Sequence, residues 1–263
     1  MGGRERGPPR GRGLPPRRLR PRERPALSER VLVVIPAWNE AANLHGVVGE
    51  LRGARPDDDL LVVDDGSTDG TAELARRLDC RLVELPFHLG YGAAVQAGVK
   101  YGLRRGYPVA VTFDGDGQHD PADVEPLIEA VRQGADVALG SRFLSPGAYH
   151  GGLFRRAGRR LFSLLLRALT GLRLTDPTSG LKALGPRGQT LFALARFPDR
   201  FPDADALVLA RRARLALAER PARMRQSHNR HSMHGGGRAV AYTFNMFLSL
   251  LVAAAGRESD LRG

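Results

Sequence analysis

VAVTFDGDGQHDP, residues 109–121, is the most informative stretch of this 263-residue chain. Its first five residues are apolar and rich in β-branched side chains, which is typical of a buried strand. Asp114 and Asp116 follow, and because alternate residues of extended backbone point the same way, both carboxylates can face one spot. The two carboxylates repel each other unless a hard cation binds between them. Mg²⁺ and Mn²⁺ take oxygen ligands, and these ions often bind carboxylates and substrate phosphates at the same time. The stretch predicts a metal–diphosphate site, with a solvated acidic turn as the alternative.

Length and composition are those of one large domain, or of a domain with appendages. Hydrophobic residues make up 42% of the chain, which is enough for a core. The single cysteine, Cys80, excludes a disulfide framework within the chain and a multi-cysteine zinc site. The net charge is +12, but ten Arg and three Glu in residues 1–30 place +7 of it there. The charge is therefore weak support for nucleic-acid binding by the remaining residues.

Residues 1–30 consist mainly of Arg, Pro and Gly. A segment with so few apolar residues cannot bury enough surface to offset the entropy of ordering, so we expect a disordered tail. It lacks the apolar region of a secretory signal. It either rests on anionic lipid headgroups, at roughly 1 kcal/mol per Arg, or is an inert extension or the product of a misassigned start site.

Short apolar runs alternate with helical segments along residues 31–143. Helix boundaries are indicated by Asn39 as an N-cap, by Ser67, Thr68 or Asp69 as the next cap, and by Pro121 at a first helical position. Strands are predicted at 31–36, 59–63, 81–85, 109–113 and 135–139, with helices ending near residues 51, 78, 104 and 132. This order predicts a mostly parallel sheet with helices on both faces.

Polar clusters follow three of these strands. They are residues 38–40, 64–67 and 114–116. Ligands of such sheets bind at the carboxyl ends of the strands, so the three clusters are expected to meet at one edge. Their convergence favours a metal–nucleotide site over a solvated turn.

Other chemistries have weaker signals. There is no Walker A pattern, no HExxH and no nucleophile elbow. Residues 90–95 form a partial dinucleotide fingerprint, which tight strand-to-helix packing explains as well. His228, His231 and His234 lie in a polar stretch and are expected to be solvated or to contact phosphate.

Three motifs resemble the signature set of family 2 glycosyltransferases with the GT-A (Rossmann-like) fold. They are VIPAWNE at 34–40, VDDGSTDGT at 63–71 and DGDGQH at 114–119, in the family's order and spacing. The resemblance covers about residues 31–232. DPTSG at 176–180 is similar to a segment of the polyprenyl-phosphate subgroup, of which dolichol-phosphate mannosyltransferase is the familiar member.

The resemblance implies roles for individual residues. Metal binding by Mg²⁺ or Mn²⁺ falls to Asp114, Asp116 and Gln118, and Asp116 and Arg142 are the expected catalytic residues. Nucleotide-sugar binding falls to Pro36, Trp38, Glu40, Val63, Asp65, Asp114, Gly115, Asp116, Gln118 and Arg142. The acceptor is expected near Asp176, Ser179, Arg225 and Arg230.

The sequence departs from the subgroup in its R-x-x-G-x-S segment. Alignment on Ser232 puts Ser227 at the Arg position and Arg230 at the Gly position. Arg225 or Arg230 would have to supply the missing cation. If neither does, we expect weak turnover or an impaired enzyme.

Two segments point to a membrane surface. Residues 153–172 predict a basic amphipathic helix of the kind that lies in a bilayer interface, with a core-facing helix as the alternative. Residues 239–255 are apolar and 17 long, at the lower limit for spanning. An interfacial or membrane-dipping helix is favoured, and a single span or packing on a small membrane-protein partner is the alternative. The expected organisation is a tail at 1–30, a catalytic domain at 31–234 and a membrane-associated segment at 235–263.

The resemblance implies inverting transfer of a hexose from a nucleotide sugar to polyprenyl phosphate at the cytoplasmic membrane face. GDP-mannose is the first expectation for the donor and UDP-glucose the second. An alternative is transfer to a sugar hydroxyl in polysaccharide or glycolipid synthesis, with Asp203 or Asp205 as the base. A basic nucleic-acid-binding protein is the remote alternative, because unshielded acidic strand ends would repel phosphate; we expect no nucleic-acid partner.

Overall fold

A computed structural model of the chain describes residues 30–144, 164, 167–168, 171, 174–194 and 204–225. Seven strands form one sheet in the order β3-β2-β1-β4-β6-β5-β7. The strands are β1 (Val31–Ala37), β2 (Asp59–Asp64), β3 (Arg81–Glu84), β4 (Val109–Thr112), β5 (Val137–Ser141), β6 (Lys182–Leu184) and β7 (Leu217–Pro221). The helices are α1 (Ala41–Ala54), α2 (Thr71–Ala75), α3 (Tyr91–Arg105), α4 (Val124–Arg132), α5 (Pro186–Phe192) and α6 (Ala204–Arg212), with a 3-10 turn at Pro121–Asp123.

Strand β1, in the middle of the sheet, is apolar throughout because helices cover both faces. Alternate residues of β1 divide between the faces, with Val31, Val33 and Ile35 on one and Leu32 and Val34 on the other. The first face packs against α1, α2 and α4, and the second against α3, α5 and α6. The predicted α/β architecture is therefore confirmed.

Helix α3 lies very close to the sheet at Gly98. A Cβ at this position would lie 2.2 Å from Cγ1 of Val34 on β1. The missing side chain lets the helix backbone approach the strand, and the N-terminus of α3 is thereby placed above the carboxyl ends of β1 and β4.

Strand β6 was not predicted, and it runs antiparallel between β4 and β5. With three residues it is too short to show a periodicity of its own. It brings residues 176–182 back beside β4, so that Thr112 pairs with Lys182. The pairs β1–β2, β1–β4 and β2–β3 are parallel, in line with the predicted sheet. Strand β7 was not predicted either, and it pairs in parallel with β5.

Several predicted boundaries are wrong. Asn39 does not cap α1, because its backbone has φ +56° and Glu40 occupies the cap position. Helix α2 ends at Ala75 instead of residue 78, and α3 begins at Tyr91 instead of Ala93. Gly70 in a left-handed conformation precedes α2, while the Asp69 carboxylate accepts from the Thr71 N–H.

The predicted tail and the two predicted membrane-contacting segments lie outside the described residues, apart from Arg30 and a few positions of 153–172. Arg30 belongs to the folded part, since its guanidinium pairs with Asp59 at 3.1 Å. Among the described residues, no helix combines the length and apolar character needed to cross a bilayer.

Candidate active site

The loops after β1 and β2 are tied together by side chains at the carboxyl edge of the sheet. The Asn39 N–H donates to Ser67 Oγ at 2.9 Å, and the Asn39 Oδ1 accepts from the Thr68 N–H at 2.9 Å. The Glu40 N–H donates to Thr71 Oγ1 at 2.9 Å. Polar residues of the two motifs therefore set the relative position of their loops.

Asp65 holds a third loop, residues 86–90, against the end of β2. Its two carboxylate oxygens accept from the Leu89 and Gly90 N–H groups, each at 2.8 Å, and the His88 ring lies 2.8 Å away. Trp38 stacks on His88 with ring centroids 4.1 Å apart. This half-exposed aromatic pair lies beside a buried carboxylate, an arrangement that suits a nucleoside.

A glycine is required at position 66 because the loop of residues 86–90 passes very close to its backbone. Gly66 has φ +68°, and a Cβ there would lie 2.6 Å from the Phe87 carbonyl carbon. The glycine of the second motif thus allows residues 87–88 to cross the end of β2 at backbone contact.

Asp114 is held on three sides. Its Oδ1 accepts from the Tyr91 hydroxyl at 2.8 Å, and its Oδ2 accepts from Nε2 of buried His119 at 3.0 Å. Behind it lies Gly180, where a Cβ would be 2.4 Å from Oδ2. Asp114 is therefore a carboxylate of fixed orientation.

Asp116 is the more open carboxylate of the pair. Its Oδ1 accepts from the Gln118 N–H at 3.0 Å. Burial and the nearby charge of Asp114 raise the pKa of Asp116. For Asp114 itself, burial acts to raise the pKa, but hydrogen bonds from His119 and Tyr91 outweigh it and hold the pKa below its usual range.

These charges fit a divalent cation. The pKa of Glu40 is raised by burial and by the nearby carboxylates of Asp116, Asp69 and Asp114, although a hydrogen bond from Asn43 acts to lower it. Negative charge is therefore concentrated at this place. Within the described part of the chain, no three His, Cys, Asp or Glu side chains form a complete metal site. A Mg²⁺ or Mn²⁺ ion would therefore use the Asp114–Asp116 pair and complete its shell with diphosphate or water oxygens.

Arg142 directly follows β5, at the carboxyl edge of the sheet. Its Nε donates to Asp176 Oδ2 at 2.6 Å and its Nη2 to Asp176 Oδ1 at 2.7 Å. Glu219 on β7 in turn accepts from the Thr175 N–H at 2.9 Å and the Asp176 N–H at 3.0 Å. Two buried or half-buried carboxylates thus orient one guanidinium, a fork-shaped donor suited to phosphate.

Some predicted site residues do not reach the site surface. Val63 is fully buried in the core between β2 and α3, so the nucleoside contact predicted for it has no accessible atoms. Asp176 is fully buried and Ser179 is 2% exposed. Asp176 lies beneath Arg142, and the Ser179 hydroxyl donates to the Leu181 carbonyl at 3.4 Å, so neither side chain is exposed; their predicted contact with the acceptor stays a prediction.

The remaining predicted residues lie around the Asp114–Asp116 pair. Pro36 is buried at the end of β1, with its carbonyl oxygen 3.0 Å from where a Gly115 Cβ would be. The Gln118 carbonyl accepts from the Arg225 N–H at 2.8 Å. The Arg225 guanidinium pairs with Glu50 at 2.6 Å and lines one cleft with Asp116.

Arg230, Ser227 and Asp203 lie outside the described residues, as do His228, His231 and His234; for Asp205 only the backbone is described. Their predicted roles stay predictions.

Sequence reasoning assigned no role to four residues that shape the site. Tyr91, His119 and Lys182 surround Asp114, and Glu219 supports Asp176. Buried Lys182 donates to the Ser179 carbonyl, and its charge acts to lower the pKa of Asp114. Only His119 lies inside a motif; for Tyr91 the sole signal was an aromatic residue between two glycines at a helix start.

Known proteins resemble the chain in sequence and in fold. The Glycosyl transferase family 2 model matches residues 32–181. Polyprenol monophosphomannose synthase of Mycolicibacterium smegmatis is 39% identical over 180 residues, which is 66% of this chain and 66% of that protein. Undecaprenyl-phosphate mannosyltransferase of Micrococcus luteus is 42% identical over 174 residues, 63% of this chain and 69% of that protein. The matches thus span about two thirds of the length of these relatives.

A solved structure has the same fold. Glucosyl-3-phosphoglycerate synthase from Mycobacterium tuberculosis, crystallised with Mn²⁺, UDP and glucosyl-3-phosphoglycerate, matches with a TM-score of 0.67. The match covers 87% of this chain and 81% of that chain at 23% identity, a likeness that concerns the fold alone.

Fold and site together define an α/β protein of the GT-A class, with an acidic pair at the carboxyl end of its central strand. The chain belongs to glycosyl transferase family 2, in the polyprenyl-phosphate glycosyltransferase subgroup, as its motifs predicted.

Proposed function

We propose that this protein transfers a single hexose from a nucleotide sugar to a polyprenyl phosphate, with inversion at the anomeric carbon. The observation that carries the proposal is the Asp114–Asp116 pair, one carboxylate held by Tyr91 and His119 and the other open, at the strand end where ligands of such sheets bind. Mannose is the favoured sugar, since the names of two relatives that match 63–66% of this chain state mannose transfer.

The donor would lie along the carboxyl edge of the sheet. Its nucleoside would occupy the area of Asp65, Trp38 and His88, where an aromatic stack adjoins a buried carboxylate. Its diphosphate would lie at Asp114 and Asp116. A bound Mg²⁺ or Mn²⁺ would neutralise the charge that builds on the leaving nucleoside diphosphate.

The reaction with a phosphate acceptor requires little from the protein's own side chains. A phosphate acceptor is ionised at neutral pH, so it attacks without a general base, whereas a sugar hydroxyl usually needs one. Arg142, held by Asp176, would offer fixed donors to the acceptor phosphate or the leaving diphosphate. Because attack is direct, an α-linked donor would give a β-linked product.

We place the reaction at the cytoplasmic face of the membrane, because the acceptor is a lipid and residues 153–172 have the sequence of a basic interfacial helix. Cosedimentation of the full chain with phosphatidylglycerol vesicles tests this. Binding that phosphatidylcholine vesicles match would argue against an electrostatic attachment.

The experiment that tests the function is transfer of label from GDP-mannose or UDP-glucose to a short polyprenyl phosphate, with Mg²⁺ or with chelator. We expect metal-dependent label in the lipid, with mannose the better donor sugar. If neither donor labels the lipid under any metal condition, the proposal is wrong. Label in a sugar hydroxyl acceptor alone would favour the polysaccharide or glycolipid alternative.

A further inference from the structure

Tyr91 connects the loop of residues 86–90, which Asp65 holds, with Asp114 of the acidic pair. It is the first residue of α3, directly after the loop that Asp65 holds, and its hydroxyl donates to Asp114 at 2.8 Å. We propose that Tyr91 is a positioning residue that couples nucleoside binding to binding of the metal and diphosphate. This inference rests on the proposed function and describes how the two halves of the donor site are coupled.

The first link is the loop of residues 86–90. Asp65 accepts from the N–H groups of Leu89 and Gly90, and Gly66 lets the loop cross the end of β2 at backbone contact. The aromatic stack of Trp38 on His88 belongs to the same loop. A nucleoside that packs against this stack therefore acts on the segment that ends at Tyr91.

The second link is the orientation of the Asp114 carboxylate. His119 donates to Oδ2 and Tyr91 donates to Oδ1. Gly180, which has no side chain, leaves room for the carboxylate on its other side. Without the Tyr91 hydroxyl, Asp114 would keep its hydrogen bond at Oδ2 but lose the one at Oδ1. The carboxylate would then rotate more freely, and its geometry toward a cation shared with Asp116 would be looser.

The test uses nucleotide binding, which needs no turnover. Trp38 is the only tryptophan of the chain and lies half-exposed on His88, so its fluorescence reports GDP or UDP binding. Each nucleotide is titrated into the full-length protein with Mg²⁺ and with EDTA, and calorimetry provides a second signal. The variant is Tyr91→Phe, which removes only the hydroxyl.

Tyr101→Phe is the matched control. It removes the same group from the same helix ten residues on, roughly 15 Å along the axis. Tyr101 contacts Arg81 and Arg105 and no residue of the site among the contacts described. A thermal unfolding scan without ligand accompanies each protein.

In the wild type and in Tyr101→Phe, Mg²⁺ should tighten nucleotide binding. In Tyr91→Phe the affinity in EDTA should stay within about twofold, while the tightening by Mg²⁺ should shrink roughly three- to tenfold, the worth of one hydrogen bond. Full tightening in Tyr91→Phe would overturn the inference. Equal weakening with and without Mg²⁺, accompanied by a lower unfolding temperature, would overturn it too, since that marks a merely structural role.

Failure of the proposed function would give a different binding result from failure of this inference. If the wild type bound neither nucleotide, or bound them identically with Mg²⁺ and EDTA, the metal–diphosphate assignment would be wrong and this inference with it. A metal-sensitive wild type with an equally sensitive Tyr91→Phe variant would overturn the inference alone.

Discussion

Arg142 and Asp176 form a two-point ion pair, with Nε–Oδ2 at 2.6 Å and Nη2–Oδ1 at 2.7 Å, and Asp176 is completely buried. The Arg142 N–H also donates to Asp176 Oδ2 at 3.1 Å. The pair joins the end of β5 to the segment before β6, which are 34 residues apart. It gives Arg142 one orientation toward the carboxyl edge of the sheet.

Asp176→Asn should destabilise the protein and impair it. The amide accepts fewer hydrogen bonds and leaves the half-buried Arg142 charge without its counter-ion. We expect the free energy of unfolding to fall by about 3 kcal/mol, measured by guanidinium denaturation. The sugar-transfer rate should fall at least about tenfold because Arg142 is no longer held.

Arg187→Gln is the control for this pair. Arg187 forms a 3.0 Å ion pair with Asp136, but its side chain is 63% exposed. Such a surface pair should change stability by less than about 0.5 kcal/mol. Equal stability losses in the two variants would contradict the assigned role of Asp176.

Gly180→Ala should disturb the acidic pair. The new Cβ would lie 2.4 Å from Asp114 Oδ2, so the carboxylate or the 176–180 segment must shift. Metal-dependent nucleotide binding should weaken at least about tenfold, as expected when a ligand is displaced by a sizeable fraction of an ångström. Titration of GDP in the presence of Mg²⁺ measures it.

The opposite result is expected for Gly49→Ala. Gly49 lies in α1 with open space where a Cβ would be. Alanine should stabilise the helix by about 0.5–1 kcal/mol and leave binding unchanged. If Gly180→Ala behaved like Gly49→Ala, the close contact at Asp114 would be refuted.

Asp116→Ala should slow transfer severely without unfolding the protein. Removing a carboxylate that burial and Asp114 disfavour relieves repulsion, so the free energy of unfolding should stay the same or rise. The transfer rate should fall about a hundredfold or more, a typical cost of losing one group that stabilises transition-state charge. EDTA should cause a similar loss in the wild type, reversed by Mg²⁺ or Mn²⁺.

Asp57→Ala provides the comparison for that loss. Asp57 is exposed just before β2, at the sheet edge opposite the site. Its removal takes away the same charge from the protein and should leave the transfer rate unchanged. An active Asp116→Ala enzyme would refute the site itself.

Tyr107→Phe should change stability at alkaline pH. Burial and the hydrogen bond to Asp59 raise the pKa of Tyr107 to about 12. A raised folded-state pKa means that the stabilisation is fully present below pH 10 and is lost as pH rises from 10 to 12. Tyr107→Phe should lower the free energy of unfolding at pH 8 by about 2 kcal/mol and remove this part of the alkaline decline.

Urea denaturation at pH 8, 10 and 11 measures the effect. Tyr101→Phe, on α3, should keep the alkaline decline, since its hydroxyl is not bonded to Asp59. An unchanged decline in Tyr107→Phe would show that another group titrates there.

The sequence predicted five of the six strands that run in the parallel direction, and the loops that follow them, because their signals are local; β7 was missed. Apart from β3, these strands are mainly apolar, and the polar residues of the three motifs follow at the ends of β1, β2 and β4. Strand β6 escaped prediction since three residues carry no period. Asn39 looked like a helix cap, yet its carboxamide accepts from Thr68 on the next loop, a partner 29 residues away.

By itself, therefore, the sequence determined which residues lie at the carboxyl edge of the sheet and that Asp114 and Asp116 stand there together. It could not determine their different environments, because the partners that distinguish them come from distant elements: Tyr91 lies 23 residues before Asp114, and Gly180 returns beside it only through the antiparallel pairing of β6. Likewise Asp176 is a buried support for Arg142, and its backbone N–H donates to Glu219 of β7, which lies 43 residues further along the chain. Side-chain orientation depends on such long-range contacts, which only the tertiary structure decided.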